Sequence, residues 1–310
     1  EPVYMRSNRS GLLRHRVEAA RRRLHSCCLC PRRCSVDRTG HQKTGVCKTR
    51  EKAWVSSFHP HFGEEAPLVG IHGSGTIFFT HCNLLCNFCQ NYDISHQGLG
   101  QEVNDAQLAS MMLSLQNQGC HNINFVTPSH VVPMILSALE MACAQGLAVP
   151  LVYNSGGYDR VETLGLLDGV IDIYMPDFKF WDSKVAARFC AAPDYPEKAR
   201  AAVKEMHRQV GDLALDQTGV AVRGLLIRHL VMPDGLANTR EIMRFLANEV
   251  SGDTYVNVMS QYRPCGEAHK FSELSRAISV EEFREAVSTA QQEGINRLDE
   301  RKLSRLFQWL

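Results

Sequence analysis

The sequence lacks long apolar runs and any excess of charge of one sign. No hydrophobic stretch approaches the ~20 residues that a membrane-spanning helix needs, and none has the shape of a secretory signal. The 34 basic and 33 acidic residues leave a formal charge of +1, so the whole molecule is not an electrostatic trap for nucleic acid. We therefore expect a soluble, cytoplasmic protein without a membrane partner. Because the chain begins with Glu1 rather than Met, removal of a targeting segment stays open.

Internal repeats and low-complexity segments are also absent. A chain of 310 residues, 44% of them hydrophobic, can bury roughly three quarters of its unfolded surface. Charge is uneven near the start, where residues 1–23 hold seven Arg and two Glu. Residues 12–24 predict a short basic helix that is either solvated or a docking surface for an acidic partner, and nucleic acid stays open as that partner.

Cysteine, by contrast, is plentiful. Without an export signal, clustered cysteines indicate metal or redox ligands rather than disulfides. Seven of the twelve cysteines fall into two clusters. The other five are scattered, and we predict that they are small core residues: Cys28, Cys120, Cys143, Cys190 and Cys265.

From about residue 75 onward, short β-branched or aromatic runs alternate with longer amphipathic ones. Six such units in a row predict a parallel sheet with right-handed crossovers. Six strands are too few for the usual eight-stranded barrel, so the predicted fold class is α/β, a partial (β/α)6 barrel. The predicted strands are 76–80, 122–126, 150–153, 171–175, 225–231 and 254–259. The predicted helices are 105–118 with Asn104 as N-cap, 130–145 with Ser129 as N-cap, 160–167, 197–210, 239–250 and 279–294.

We expect two domains. Residues 1–65 would hold the basic helix and a small Cys-rich metal-binding module, and residues 66–310 the barrel with its C-terminal helices. A linker rich in Pro, Gly and His is expected up to about Gly75. Residues 303–310 form an apolar-patterned tail that could cap the core.

Three cysteines follow the first of the predicted barrel strands: Cys82, Cys86 and Cys89. The carboxyl ends of parallel strands are where β/α folds bind ligands. With three and two residues between them, the thiolates can cap three corners of one cubane iron–sulfur cluster, and the loop offers no obvious fourth thiolate. The fourth iron would be open to another ligand. The alternative is a zinc site completed by His81 or His96.

On this triplet and the Gln90-Asn91 pair after it, the sequence resembles the radical S-adenosylmethionine (SAM) superfamily. It looks closest to the pyruvate formate-lyase activating enzyme-like branch, over nearly the whole chain. The resemblance implies an oxidoreductase whose three cysteines are catalytic. They would hold a [4Fe-4S] cluster that reductively cleaves SAM to a 5′-deoxyadenosyl radical, which abstracts hydrogen from a substrate. It also implies an electron donor such as flavodoxin or ferredoxin.

Segment 153–158, YNSGGY, matches the place where the activating enzymes carry a segment near the SAM carboxylate. The resemblance therefore implies that Asn154 and Ser155 bind SAM. Phe88, just before the last cysteine of the triplet, fits a residue that packs beside the cluster and the adenine.

Segment 175–179, MPDFK, matches the family's Asp-x-Lys segment. There the Asp helps to bind a monovalent cation and the Lys pairs with the SAM carboxylate, so the resemblance assigns these roles to Asp177 and Lys179. Arg228 matches a family arginine that contacts SAM. A buried carboxylate needs such cationic donors, because an unpaired buried charge is very costly.

Two segments depart from the family pattern. Residues 127–130, TPSH, replace a Gly-Gly-Glu segment that aligns the SAM amino group, which leaves His130 or backbone carbonyls to hold the amine. A family histidine after the sixth strand falls near Tyr262-Arg263. We expect His130, Tyr158 and Tyr262 to line the open side of the barrel and to select the substrate.

The second cysteine cluster lies near the start of the chain, with Cys27, Cys30, Cys34 and Cys47 as the natural ligand set. Its spacing is compatible with structural zinc and with a second iron–sulfur cluster. A cluster could relay electrons to the SAM site, whereas zinc would pin the amino-terminal segment to the barrel. Free thiols are the remaining alternative.

Three functions are compatible with these patterns. One is activation of a large partner, a glycyl radical enzyme, by hydrogen abstraction from its backbone. A second is radical SAM modification of a small molecule, a peptide or RNA. A third, from another class, is an iron–sulfur electron carrier without SAM chemistry.

Overall fold

A computed structural model of the chain describes residues 1–40 and 44–299. The predicted apolar tail, 303–310, lies outside the described residues. No helix in the described part combines the length and the apolar character that a bilayer crossing requires.

Parallel strands form the centre of the structure. The strand order is β10-β9-β8-β6-β5-β4-β2-β1-β3, with β7 paired to β8 beside this path. Neighbours from β2 to β10 on the path pair in parallel, and β1 pairs antiparallel with both β2 and β3. The strands are β1 (Ala53–His61), β2 (Ser74–Phe79), β3 (Gln101–Val103), β4 (Ile123–Val126), β5 (Leu151–Ser155), β6 (Ile173–Pro176), β7 (Ala214–Leu215), β8 (Ala221–Leu230), β9 (Tyr255–Met259) and β10 (Arg297–Leu298).

Helices connect the parallel strands and cover the outer face of the sheet. They are α1 (Val3–Arg9), α2 (Leu12–Arg22), α3 (Ala66–Val69), α4 (Asp105–Asn117), α5 (Val132–Ala144), α6 (Val161–Leu164), α7 (Ser183–Cys190), α8 (Tyr195–Val210), α9 (Thr239–Phe245) and α10 (Val280–Gln292). Two π-helical turns, Asp93–Gln97 and Leu246–Val250, and three 3₁₀ turns, Pro233–Gly235, Ala268–Lys270 and Ser272–Leu274, complete the regular structure of the described residues.

The predicted fold class is confirmed: the protein is α/β, with an open, partial parallel barrel and a Cys-rich amino-terminal region. All six predicted strands are present, as β2, β4, β5, β6, β8 and β9. The expected linker before Gly75 is wrong, because β1 hydrogen bonds to β2 along most of its length. β1 is half-exposed and contains Pro60. It therefore lacks the apolar run by which the other strands were predicted, and its proline is typical of a turn. The division at residue 65 stays a prediction.

One of the two predicted helix N-caps is confirmed and the other is wrong. Asn104 caps α4 as expected, in a capping box with Gln107. The predicted cap Ser129 is wrong: α5 begins at Val132, after Val131, and has no side-chain cap. Pro133 in its first turn sets the start instead, since proline has a helical φ and needs no donor there.

The sheet separates two sets of buried side chains, because successive residues of a strand point to opposite faces. Leu151 and Tyr153 of β5 belong to the large outer core under the helices. Val152 belongs to a smaller cluster on the inner face, which α3 closes with Leu68. Its buried members are Leu68, Val152, Ile173, Met175, Leu213, Ala221 and Leu226.

The basic amino-terminal helix packs on the barrel rather than standing free in solvent. Leu13 and Ala20 of α2 are fully buried. Arg21 donates to Ser137 Oγ of α5 at 2.9 Å and forms an ion pair with Asp105 of α4. The tyrosine of α1, Tyr4, donates to the carbonyl oxygen of Val149 at 2.9 Å. A docking role for the exposed arginines stays a prediction.

Candidate active site

The cysteine triplet occupies the loop that follows β2. This loop is held by its neighbours on two sides. The side-chain amide of Asn83 donates to the carbonyl oxygen of Tyr158 at 2.6 Å, and the backbone N–H of Asn87 donates to the carbonyl oxygen of Phe189 at 2.9 Å. Loop residues therefore have a fixed place relative to the loop after β5 and the end of α7.

Cys86 is buried, and Cys82 and Cys89 are half-buried. Burial raises the pKa of Cys82 to about 12, while the Lys179 ammonium acts in the opposite direction. The backbone N–H of Leu84 donates to Cys82 Sγ at 3.3 Å, and the hydroxyl of Ser95 donates to Cys89 Sγ at 3.2 Å. Such a site favours the thiolate form only when a metal centre binds the sulfurs.

Cys86 has a neighbour that the sequence did not single out. Its Sγ lies 3.2 Å from Cys190 Sγ, at the end of α7. The contact with Cys190, and then burial, raise the pKa of Cys86 well above its usual range. Among the scattered cysteines, Cys190 and Cys120 are buried as predicted, and the other three are only half-buried.

Zinc stays the alternative at the triplet. Within the described ranges, no three Cys, His, Asp or Glu side chains are grouped so that they could hold a single metal ion. The ring of His96 stacks on Tyr92 with centroids 4.2 Å apart. His81 lies against Trp54, with ring centroids 6.0 Å apart.

A buried charged network adjoins the triplet on the inner face of the sheet. Asp177 Oδ1 accepts from Arg228 Nε at 2.8 Å, and Asp177 Oδ2 accepts from Lys179 Nζ at 2.6 Å. Arg228 Nη2 also donates to Asn154 Oδ1 at 2.7 Å. Burial raises the pKa of Asp177, but the two cations outweigh it and hold that pKa below its usual range. Four of the five residues that the resemblance assigns near the SAM carboxylate therefore meet at one place.

Lys179 has unused hydrogen-bond donors. Its side chain is 16% exposed, and within the described chain its ammonium donates only to Asp177. An ammonium carries three N–H groups, so two remain for another acceptor. Burial acts to lower the pKa of Lys179, but the charges of Asp177 and Cys86 raise it overall. The result is a permanently charged donor close to the triplet.

Two predicted site residues make other contacts: Ser155 points away from the network, whereas Phe88 stays in the triplet loop. Ser155 faces the outer side of β5, where its hydroxyl donates to Asp159 Oδ2 at 2.6 Å. Phe88 is 4% exposed and packs against the rings of Phe180 and Tyr262, at centroid distances of 5.7 and 6.2 Å. Ser155 is therefore not part of the network around Asp177.

Two carboxylates that no sequence pattern indicated complete the inner network: Glu64 and Glu65. Glu64 Oε2 lies 3.6 Å from Arg228 Nη1, and burial raises the pKa of Glu64 to about 7. Glu65 Oε1 accepts from Asn257 Nδ2 at 2.6 Å. Within the described residues, Glu65 Oε2 and Asn257 Oδ1 are buried without a hydrogen-bond partner. Unpaired buried polar atoms of this kind indicate a place for water or ligand.

Tyr195 was also missed, since no local pattern marks it. It is fully buried, and its hydroxyl accepts from the backbone N–H of Lys179 at 2.9 Å. The same hydroxyl lies 3.0 Å from the carbonyl oxygens of Gly156 and Asp177. Tyr195 thus ties the loop after β5 to the loop after β6.

The three residues expected to select the substrate are buried instead. The hydroxyl of Tyr158 donates to Asp194 at 2.6 Å, and that of Tyr262 donates to the carbonyl oxygen of Leu274 at 2.8 Å. His130 Nε2 contacts the carbonyl oxygen of Thr80 at 3.0 Å, and the residue lines a cavity with the amino-terminal cysteines. None of the three is exposed, and their role in selecting the substrate stays a prediction.

The four amino-terminal cysteines do meet. They line this cavity together with apolar residues and arginines of the same segment. The members of the set are Cys27, Cys30, Cys34 and Cys47.

Comparison with known proteins gives one clear relative. No protein-family model matches the chain. The uncharacterized protein MJ0674 of Methanocaldococcus jannaschii is 32% identical over 289 residues, which cover 91% of this chain and 79% of MJ0674.

Two solved structures share parts of the architecture. One is Streptococcus suis SuiB bound to the precursor peptide SuiA, with 12% identity, a TM-score of 0.48 and a match over 71% of this chain. The chain spans only 46% of that SuiB chain. The other is TYW1 with a lysine-pyruvate adduct bound, with 11% identity, a TM-score of 0.42 and coverage of 72% and 74% of the two chains. Likenesses this weak do not define a shared function.

Proposed function

This chain belongs to the same protein family as M. jannaschii MJ0674, and from that premise we propose that it is a radical SAM enzyme. The name of the relative states no activity, so the proposal depends on the site. One observation carries it: the buried Lys179 ammonium, with two unused N–H groups, stands next to a loop of three cysteines. A three-cysteine loop can hold a cluster with one open iron, and the spare donors suit a carboxylate.

The residues present fit a [4Fe-4S] cluster and SAM. Cys82, Cys86 and Cys89 would bind three irons, and Lys179 would bind the carboxylate of SAM. When both are bound, and an external donor supplies one electron, the pair would provide reductive cleavage of SAM and hydrogen-atom abstraction from a substrate.

The chain's own residues hold Lys179 in position. Asp177 orients the ammonium, and Arg228 fixes the other oxygen of the Asp177 carboxylate. Because two cations already contact this carboxylate, a third cation would be repelled, and the monovalent cation implied by the resemblance gains no support. Tyr195 fixes the backbone at Lys179 from the opposite side.

A SAM cleavage assay tests this function without knowledge of the substrate. Anaerobically reconstituted protein with SAM and dithionite should yield methionine and 5′-deoxyadenosine. Cys86→Ala should abolish both products, whereas Cys143→Ala, a half-buried cysteine outside both clusters, should leave them unchanged. Iron-loaded protein that forms neither product would instead be an iron–sulfur electron carrier.

The substrate is a finer proposal that is supported by the sequence resemblance alone. Activation of a glycyl radical enzyme would give a glycyl radical signal in electron paramagnetic resonance after incubation with candidate partners. Its absence, with SAM cleavage intact, would favour a small molecule, a peptide or RNA as substrate.

A further inference from the structure

We propose that Glu65 and Asn257 form a subsite inside the barrel that binds a primary ammonium group of the substrate. The inference rests on the function proposed above and deepens it, because it names the chemical class of the molecule on which the radical would act. Neither residue is among those that the sequence resemblance assigns to the cluster or to SAM.

The subsite lies on the inner face of the sheet, next to its apolar cluster. Leu226 of β8 belongs to that inner cluster, and Arg228, two residues later, points to the same side because side chains alternate along a strand. Asn257 of β9 is paired with Arg228 across the two strands and therefore shares this face. Toward the carboxyl ends of β8 and β9, the inner wall thus changes from apolar to polar.

Two buried oxygen atoms of this polar layer lack hydrogen-bond donors. Asn257 is 3% exposed and Glu65 is 5% exposed, and Asn257 Nδ2 donates to Glu65 Oε1 at 2.6 Å. Among the residues that the structure describes, the second oxygen of this pair on each side, Glu65 Oε2 and Asn257 Oδ1, is buried without a partner. A buried acceptor without a donor is unfavourable, so the two oxygens suit a ligand that carries several N–H groups.

The charges of the layer favour a cationic ligand. Three carboxyl groups face two cations there: Asp177, Glu64 and Glu65 against Arg228 and Lys179. Arg228 forms ion pairs with Asp177 at 2.8 Å and with Glu64 at 3.6 Å, but within the described chain it forms none with Glu65. When all three carboxyl groups are ionised, one negative charge has no counterpart, and a bound cation would balance it.

A primary ammonium group combines the two properties that the subsite requires. It carries one positive charge and three N–H donors, enough for both unpaired oxygens. Water and hydroxyl groups donate hydrogen bonds but leave the carboxylate charge unbalanced. A metal ion is disfavoured, because in the described ranges no three Asp, Glu, Cys or His side chains are grouped so that they could hold one.

The subsite is connected to the rim on which Lys179 stands. Arg228, the strand neighbour of Asn257, donates to Asp177 Oδ1 at 2.8 Å, and Asp177 in turn accepts from Lys179. The side chains of Lys179 and Asp177 are 16% and 15% exposed, so this end of the layer meets solvent. A substrate held by its ammonium group at Glu65 would therefore extend along the layer toward the rim and the triplet.

Calorimetric titration with n-butylammonium chloride as the probe tests the subsite. It uses the full, anaerobically reconstituted chain without a reductant, so that SAM is not consumed. We expect saturable binding that is roughly 10-fold or more tighter than binding of 1-butanol, which has the same carbon chain but no charge. No saturable binding of n-butylammonium, or equal affinity for 1-butanol, would overturn the proposal.

Substitutions connect the binding to the two residues. Glu65→Gln keeps the size of the side chain but removes its charge, and it should weaken n-butylammonium binding by roughly 10- to 100-fold. Asn257→Ala removes the other unpaired oxygen and should also weaken binding, which gives a second test if one variant fails to fold in urea titrations. Glu285→Gln, the same chemical change at an exposed position of α10, is the matched control and should bind the probe like the wild type. Wild-type affinity in a folded Glu65→Gln variant would contradict the assignment.

Competition shows which molecule the subsite binds. Saturating SAM should leave the Kd for n-butylammonium unchanged, because SAM would bind at the triplet and Lys179. Displacement of the probe by SAM would assign the oxygens to the amino group of SAM, and displacement by KCl at matched ionic strength would assign them to a metal ion. Either result would overturn the proposal. Probe binding does not depend on SAM cleavage, so the failure of this inference and the failure of the proposed enzyme activity are distinguishable.

Discussion

At the scale of single residues, the burial of the charged side chain of Lys179 most needs a physical reason. A long, charged side chain is rarely buried unless it is paired. Here one carboxylate, Asp177, accounts for one of its three N–H groups. The remaining two donors are open to water or to a ligand. Two available donors on a buried cation suit the binding of an anionic group.

Lys179→Met should weaken SAM binding by roughly 10- to 100-fold, because a charged hydrogen bond is worth about 1.5–3 kcal/mol. Equilibrium dialysis of the anaerobic, cluster-loaded protein measures the Kd. Lys179→Arg should retain part of the affinity, and Lys184→Met, at an exposed position of α7, should retain all of it. An unchanged Kd in Lys179→Met with full iron content would rule out a carboxylate-binding role.

At the scale of elements, the loops after β5 and β6 depend on one glycine. Gly157 has a φ of 75°, in the left-handed region that favours glycine. A Cβ atom there would lie 2.2 Å from the carbonyl oxygen of Asp177. The two loops can therefore approach each other only without a side chain at this position, and that approach places Asp177 beside Asn154.

Gly157→Ala should lower the free energy of unfolding by about 1–3 kcal/mol more than Gly146→Ala does, because only the first creates a steric overlap. Gly146 is the matched control: its φ is 91°, and an added Cβ meets nothing within 4 Å. Urea unfolding of both variants gives the difference. Equal losses would mean that conformational strain alone, and not loop contact, requires the glycine.

At the scale of the whole molecule, two buried histidines link folding to pH. Burial lowers the pKa of His229 to about 4, and burial together with the charge of Arg38 lowers that of His130 to about 3. His229 is fully paired as a neutral ring: Nδ1–H donates to the carbonyl oxygen of Phe178, and Nε2 accepts from Thr239, both at 2.9 Å. Protonation of this ring would break the second contact.

Both histidines should make the fold less stable in acid. Between a folded pKa near 4 and the usual value near 6.5, the unfolded chain binds more protons, so stability falls as the pH drops through that range. Two buried carboxyl groups act in the opposite direction. Burial raises the pKa of Glu64 to about 7 and that of Asp172 to about 6, and their contribution to stability is lost as the pH rises. The total slope is therefore a sum of opposing effects.

Comparison with His229→Gln isolates one of these effects. The stability advantage of the wild type over this variant should shrink by about 1.4 kcal/mol per pH unit below pH 6.5. Urea unfolding at pH 7, 6 and 5 measures it. An advantage that stays constant over this range would show that His229 titrates normally in the folded protein.

The sequence by itself determined the repeating strand and helix units and the cysteine triplet. Both are local: apolar spacing over ten or so residues predicts an element, and the triplet lies within eight consecutive residues. Asn104 as a helix cap belongs to the same class, because its partner Gln107 is three residues away. For that reason the cysteine triplet, which is the motif that indicates the chemistry, could be found without a structure.

Only the tertiary structure decided which residues share a site. Asn154 and Arg228 lie in two different strands, Asp177 follows directly after a third, and the three meet through sheet register. Ser155, next to Asn154, faces the other side, because side chains alternate along a strand.

Glu64, Tyr195 and Cys190 reach the site from segments that are distant along the chain, through packing that no local pattern encodes. The same holds for the amino-terminal cysteines. Their number and spacing were visible in the sequence, but it is the fold of the segment that brings all four to one cavity.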